Sequence, residues 1–140
     1  MKKRTYIISI VILFIISVLI TYKWYTQAPT SITKLPTNIT ISAESLFENY
    51  EEDEIVSNLK YLDKVIEVNG VVSGIAFQKN SVTLKTKDDF GSILCGLSKE
   101  FRSTINTLKV GQRVIIKGIC SGYLMDVVLI RCEIINLKKQ

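Results

Sequence analysis

Val65-Ile66-Glu67-Val68-Asn69-Gly70-Val71-Val72-Ser73 decides the fold, because its apolar residues recur at every second position. Ile66, Val68, Gly70 and Val72 fall on one side and Glu67, Asn69 and Ser73 on the other, which marks a strand with one buried face. A glycine within such a strand suggests the tight bend or close approach of a barrel corner. The same period returns downstream. Val82, Leu84 and Thr86 alternate with Thr83, Lys85 and Lys87, and Ile93 to Leu97 form a third strand. Val114, Ile116 and Gly118 alternate with Arg113 and Lys117 in a fourth strand ending at Cys120. In the fifth, Val128, Ile130, Cys132 and Ile134 oppose Arg131 and Glu133.

Between the third and fourth strands, Ser98 can cap a short helix from Lys99 to Leu108, with Phe101, Ile105 and Leu108 along one side. Asp88-Asp89-Phe90-Gly91 reads as a hairpin turn. Its Asp-Phe-Gly looks like the kinase magnesium motif, but no Gly-rich loop, strand lysine or catalytic loop accompanies it. Upstream, Ser42 can cap a helix beginning at Ala43, with Leu46, Phe47 and Tyr50 at helical spacing. Past Glu51-Glu52-Asp53-Glu54, the series Ile55, Leu59, Leu62 continues that face, giving one long helix or two short ones broken near Asp53. The acidic stretch lacks the central glycine and spaced oxygen ligands of a calcium loop and reads as a solvated helix face.

Three strands, a helix and two strands is the order of the OB-fold, a five-stranded Greek-key barrel with its helix between strands three and four. The predicted class is therefore mainly β: an OB-like barrel over residues 42–140, including the helical segment in front. An SH3-like barrel lacks a ten-residue helix at that position. Residues 26–41 (TQAPTSITKLPTNIT and Ile41) are rich in Thr, Pro and Asn and read as an extended linker. Within them Asn38-Ile39-Thr40 matches the N-glycosylation triplet, which matters only in a eukaryotic secretory pathway.

Residues 1–25 read as a cytoplasmic stub and a transmembrane helix. Lys2, Lys3 and Arg4 precede an uncharged run from Thr5 to Tyr22, aliphatic on every side. About 18 such residues rise about 27 Å, close to the hydrocarbon thickness of about 30 Å. Three cations before the run and only Lys23 close behind it keep the N-terminus in the cytoplasm and place the C-terminal domain in the periplasm or outside the cell. Tyr6, Tyr22, Trp24 and Tyr25 suit the interfacial belt. A cleaved signal peptide fits less well: the run exceeds the usual h-region, and Pro29 follows the only A-x-A-like candidate, Thr26-Gln27-Ala28.

The net charge of +5 misleads if taken whole. From Thr26 onward the chain holds 14 basic against 13 acidic residues, a net of +1, so the basicity is a topology signal and not a nucleic-acid footprint. Histidine is absent, which removes the commonest general base, the triads built on it and the usual zinc and haem ligands. Cys95, Cys120 and Cys132 are too widely spaced for a CxxC pair or a four-ligand zinc site. Outside the cytoplasm one disulfide is available, Cys95–Cys132 with Cys120 as the alternative partner; three buried reduced thiols fit the sequence equally well.

From about Ile41 to Ile135, roughly two-thirds of its length, the chain resembles a family of small bacterial envelope proteins, the tRNA anticodon-binding-like (tRNA_anti-like) or OB-fold lipoproteins. The resemblance rests on Leu46, Tyr50 and Glu54, on Tyr61-Leu62-Asp63-Lys64-Val65-Ile66-Glu67-Val68-Asn69-Gly70, and on Val82-Thr83-Leu84 with Cys95. It continues through Leu108-Lys109-Val110-Gly111-Gln112-Arg113-Val114, Lys117-Gly118-Ile119-Cys120-Ser121-Gly122 and Asp126-Val127-Val128-Leu129-Ile130-Arg131-Cys132. No cysteine follows the apolar run to accept a lipid, so attachment falls to the helix. The resemblance implies an OB-like barrel in the envelope. The family name records a fold likeness, so tRNA binding does not follow from it.

OB barrels bind on the face of strands two and three, between the loops joining strands one to two and four to five. Here that points to Phe77 and Lys79 in the first loop, Lys85 and Lys87 on strand two and Tyr123 in the second loop, a set able to stack on and neutralise an anionic ligand. The bland alternative is a solvated strand whose lysines discourage edge pairing. The sequence thus predicts a membrane-anchored, non-enzymatic binding module with no catalytic residues, metal or cofactor. Its partners are the membrane, through the N-terminal helix, and an envelope protein, peptide or glycan. Single-stranded nucleic acid is the alternative ligand, disfavoured by the low basic excess.

Overall fold

The computed structural model describes residues 2–25, 32–37, 39–87 and 91–137. The Asp88-Asp89-Phe90 part of the expected hairpin turn, Asn38 of the glycosylation triplet, and residues 26–31 of the linker lie outside them. The chain divides into two units, residues 1–30 and 31–140. In the first, helix α1 (Lys2–Tyr25) contains an 18-residue apolar window, Tyr6–Lys23, of mean hydropathy 2.3 with no part of it buried. By length and composition it can cross a bilayer. Thr21 Oγ1 donates to the carbonyls of Ser17 and Val18 at 3.0 and 2.9 Å, which satisfies its hydroxyl within the helix.

The second unit is a closed barrel of β2 (Val65–Ala76), β3 (Ser81–Lys85), β4 (Ser92–Leu97), β5 (Arg113–Leu124) and β6 (Asp126–Leu137). Their order around the barrel is β2-β3-β4-β6-β5, closed by β5 on β2, with β4 and β6 parallel. The alternation read in the sequence holds in β2 to β5, where Ile66, Val68, Val72, Val82, Leu84, Ile93, Cys95, Val114, Ile116 and Cys120 are buried in one core. In the first half of β6 it is out of phase: Val127 and Leu129 are buried and Ile130 is exposed, because an irregularity at Arg131 (φ 54°) shifts the register before Cys132 turns inward. Strand β2 carries its two barrel neighbours on opposite edges, and Val71 pairs with both. Val65 to Val71 pair with β5, whereas Val71 to Ala76 pair with β3. Gly70 sits at the changeover, where an added Cβ would come within 3.0 Å of Ala43 Cβ and 3.1 Å of Leu84 Cδ1.

That changeover leaves one edge of the first half of β2 without a barrel partner. A short strand not seen in the sequence, β1 (Ile39–Ser42), fills it, pairing in parallel with Ile66 to Asn69. Residues 32–37 and 39–41, expected as linker, are therefore part of the domain. Ile32 is buried in the 3-10 turn Ile32–Lys34, and its amide donates to Glu133 Oε1 at 2.9 Å. Lys117 Nζ donates to the Leu35 carbonyl at 2.6 Å and lies 3.9 Å from Glu67 Oε1, while the Thr37 hydroxyl donates to Glu67. Glu67, Lys117 and Glu133 are cross-strand neighbours on the outer surface of β2, β5 and β6. Alternation sends these charges outward, as read. The N-terminal segment then buries Lys117 and Glu133 to 4% and 2% exposure.

Ser42 ends β1 and accepts the Ser45 amide, capping α2 (Ala43–Glu52). Ala43, Leu46, Phe47 and Tyr50 are buried in the core, as their spacing predicts. Asp53 is both the C-cap of α2 and the N-cap of α3 (Glu54–Tyr61), which settles the choice in favour of two short helices. The face expected for α3 is wrong. Ser57 and Tyr61 turn inward, with Ser57 Oγ donating to the Asn49 carbonyl and Asn49 Nδ2 donating to Tyr61 Oη. Ile55 and Leu59 are 76% and 77% exposed. The break at Asp53 rotates the second helix, so the apolar series does not continue the buried stripe of α2.

The segment after β4 also differs in detail. In place of one capped helix there are two 3-10 turns, Lys99–Phe101 and Thr104–Thr107, and Ser98 makes no capping bond. Ile105 and Leu108 are nevertheless buried, with Phe101 packed beside them.

Lys117 is the cation between two buried or half-buried acids, so Lys117→Met should destabilise the domain by about 3 kcal/mol. Urea unfolding followed by circular dichroism measures this, and a variant within 0.5 kcal/mol of wild type (roughly the noise of a neutral surface change) would contradict it.

Candidate functional site

The predicted site residues separate into three places. Phe77 and Lys79 are exposed in the turn between β2 and β3, which Asn80 Nδ2 ties to the carbonyls of Leu97 and Ser98 at the end of β4. Lys85 and Lys87 lie at the other end of β3, about 13 Å or more away at the rise of a strand. The outward side of β3 and β4 between these ends carries Thr83, Lys85, Ser92, Leu94 and Gly96, none of them aromatic.

Around Lys85 and Lys87 the structure forms an open cleft of about 380 Å³ at the N-terminus of α2. Arg113 of β5 joins them there, a third cation that sequence separation had hidden. Glu44 and Asn69 also line the cleft, and Lys87 Nζ lies 3.7 Å from Glu48, so the site is cationic but partly compensated.

Tyr123 does not stand in a loop. Strand β5 runs to Leu124 and β6 begins at Asp126, leaving only Met125 between them, at φ 68°. The Tyr123 ring stacks on Tyr50 at 5.6 Å between centroids and meets Phe47 edge-on at 5.9 Å. It is therefore half-buried against the core and not available as an open stacking platform. Burial first, then Glu51, Glu54 and Asp126, push its phenol above the usual value. Those three carboxylates make the potential around this end of β5 negative.

A second concavity lies here, unforeseen from the sequence. It is a groove of about 390 Å³ between α3 and the β5–β6 hairpin, lined by Leu62, Tyr123, Leu124 and Val128 with Glu54 and Asn58 among the polar groups. The elements that bound it expose apolar side chains: Leu124 and Met125 of the hairpin are 85% and 80% exposed, and Ile55, Val56 and Leu59 of α3 face water. The signal was present in the i, i+4, i+7 spacing of Ile55, Leu59 and Leu62, but the sequence does not reveal which way that face points.

The three cysteines are buried thiols. Cys132 hydrogen-bonds to Cys95, and burial, then Cys95, raises its thiol well above the ordinary range. Cys120 Sγ instead lies 3.2 Å from Tyr50 Oη, whose own ionisation is pushed far upward by burial and by that contact. Cys95 and Cys132 are thus the pair in contact. Gly118 makes room for Cys132, since a Cβ there would fall 2.6 Å from its Sγ. Among the described residues no cluster of three or more Cys, Asp or Glu is arranged to hold a metal.

A small closed β-barrel with helical segments packed on its core defines an OB-fold-like module. The chain belongs to the tRNA_anti-like family, whose model matches residues 1–134. A solved structure from Klebsiella pneumoniae, described as a "putative nucleic acid-binding lipoprotein", is 17% identical and aligns with a TM-score of 0.55 over 79% of this chain and 100% of its own. That likeness is one of fold. Entamoeba histolytica asparaginyl-tRNA synthetase, 15% identical, matches with a TM-score of 0.40 over 55% of this chain and 22% of its own. No curated protein matches.

Tyr123→Ala removes a half-buried ring from two aromatic contacts and should cost about 2 kcal/mol of domain stability; thermal unfolding tests this, and a loss below about 0.5 kcal/mol would place the ring outside the core. None of the three thiols should react with Ellman's reagent in the native protein, and all three should react in denaturant. A denatured count of one would report a Cys95–Cys132 bridge.

Proposed function

We propose that this protein is a membrane-anchored, non-enzymatic binding module of the cell envelope, with α1 as an uncleaved anchor and the barrel outside the cytoplasm. The observation that carries the binding reading is the apolar surface of α3 and the β5–β6 hairpin. Exposing Ile55, Leu59, Leu124 and Met125 to water gains nothing for the fold, so the surface fits a partner such as a protein or peptide. The anchor reading is supported by the 18-residue apolar window and by the basic Lys2-Lys3-Arg4 before it. A non-enzymatic role agrees with the absence of histidine from the sequence.

A second reading, single-stranded nucleic-acid binding, is favoured by the cleft that unites Lys85, Lys87 and Arg113, and the Klebsiella protein's description points the same way. Against it stands the outward side of β3 and β4, which offers no aromatic to stack a base.

Two measurements separate these readings. A C-terminal alkaline phosphatase fusion should be active and a C-terminal green fluorescent protein fusion dark; the reverse pattern would overturn the envelope placement. Single-stranded oligonucleotides should bind weakly or not at all at low salt. Micromolar binding that weakens steeply with salt and is lost in Lys85→Ala/Lys87→Ala would establish the second reading instead.

A further inference from the structure

The groove between α3 and the β5–β6 hairpin combines two properties that together specify a ligand. Half of its lining is apolar or aromatic, Leu62, Tyr123, Leu124 and Val128, beside Glu54, Asn58 and Ser121. The two elements that bound it, α3 and the β5–β6 hairpin, also expose Ile55, Leu59 and Met125 to water. Its rim is acidic. Glu51, Glu52, Asp53 and Glu54 run consecutively and exposed through the α2–α3 junction, and Asp63 follows α3. Lys60 is drawn over the Tyr61 ring at 5.0 Å and Lys64 Nζ donates to the Leu59 carbonyl, so the two nearby cations are engaged locally. Four of the domain's acids thus fall on four successive residues, although its overall charge is near neutral.

We propose, resting on the binding-module reading above, that this groove receives a cationic amphipathic segment of a partner protein, its apolar side chains against Leu62 and Leu124 and its lysines or arginines against Glu51 to Glu54. The charge pattern favours this occupant over the others. An anionic lipid surface would be repelled by the rim, and a second copy docked by the same face would set the two acidic runs against each other. A helical segment with apolar residues at i, i+3, i+4 and i+7 matches a groove bounded by one helix and one hairpin. Met125 adds a flexible apolar side chain at the lip, able to adjust to different partners.

The test uses the full chain in phosphatidylcholine nanodiscs and two dye-labelled 18-residue peptides of identical leucine pattern, one Leu/Lys and one Leu/Glu. Fluorescence anisotropy should show saturable binding of the Leu/Lys peptide beyond its uptake by empty nanodiscs, and at least tenfold weaker binding of the Leu/Glu peptide. Leu59→Ser/Leu124→Ser, both at exposed positions, should weaken the Leu/Lys peptide at least tenfold with the circular dichroism spectrum unchanged. Glu51→Gln/Glu52→Gln/Glu54→Gln should weaken it several-fold and flatten its salt dependence. Equal binding of the two peptides, or binding untouched by either variant, would overturn the proposal. So would dimerisation abolished by Leu59→Ser/Leu124→Ser, which would assign the face to a second copy, or burial of a probe at residue 59 in the bilayer, which would assign it to lipid. None of these results depends on the reporter fusions, so a misplaced compartment and a misassigned groove are told apart.

Discussion

Strand β2 imposes the constraint on which the rest of the domain depends. It passes from pairing beside β5 to pairing with β3 near Gly70, and a strand that changes partners in this way leaves an edge uncovered. Covering it recruits β1, and β1 sets the path of the chain beyond it. Ser42 closes the strand and caps α2 in the same residue, so the helix can only leave at the point where Ala43 meets Gly70. Leu46, Phe47 and Tyr50 then enter the core, Asp53 breaks the helix, and α3 emerges with its apolar series facing water. The exposed groove is thus a downstream result of how one barrel edge is sealed.

The two concavities differ in kind. The cleft at the start of α2 is polar, its three cations are partly offset by Glu44 and Glu48, and its neighbouring strands lack aromatics. The groove beside α3 combines Leu62, Leu124 and Val128 with Glu54 and has no cation in its lining. An OB-like barrel has a customary binding face, yet in this chain the residues expected to form it are divided between the ends of β3 and the core.

The strands were legible in the sequence because each has one buried face, and period-two alternation records that directly. Their partners were not, since register and closure depend on contacts between residues far apart. The helical break at Asp53 was visible as a local signal, but its direction was not: Ser57 and Tyr61 are poor candidates for a buried pair until Asn49 is seen to bond to both. The strap at residues 32–37 was missed for a related reason. Its prolines and threonines read as linker, and nothing local to it reveals that Glu67, Lys117 and Glu133 await it on three strands. Of the residues singled out, Lys85 and Lys87 line one cleft, Arg113 beside them was out of reach of any local pattern, and Tyr123 lies in β5 and not in a loop, because a hairpin with one connecting residue resembles a loop in sequence.

The buried charges beneath the strap also have a mechanical meaning. A pull on the chain ahead of Ile32 is resisted first by the bonds from Ile32 to Glu133, from Lys117 to the Leu35 carbonyl and from Thr37 to Glu67. These anchor the leader to three different strands, β6, β5 and β2, so load is distributed across the barrel wall before it reaches β1. Short, polar and laterally spread, the clasp works as a strain relief between leader and barrel, keeping tension away from the α2–α3 junction and from the groove it shapes.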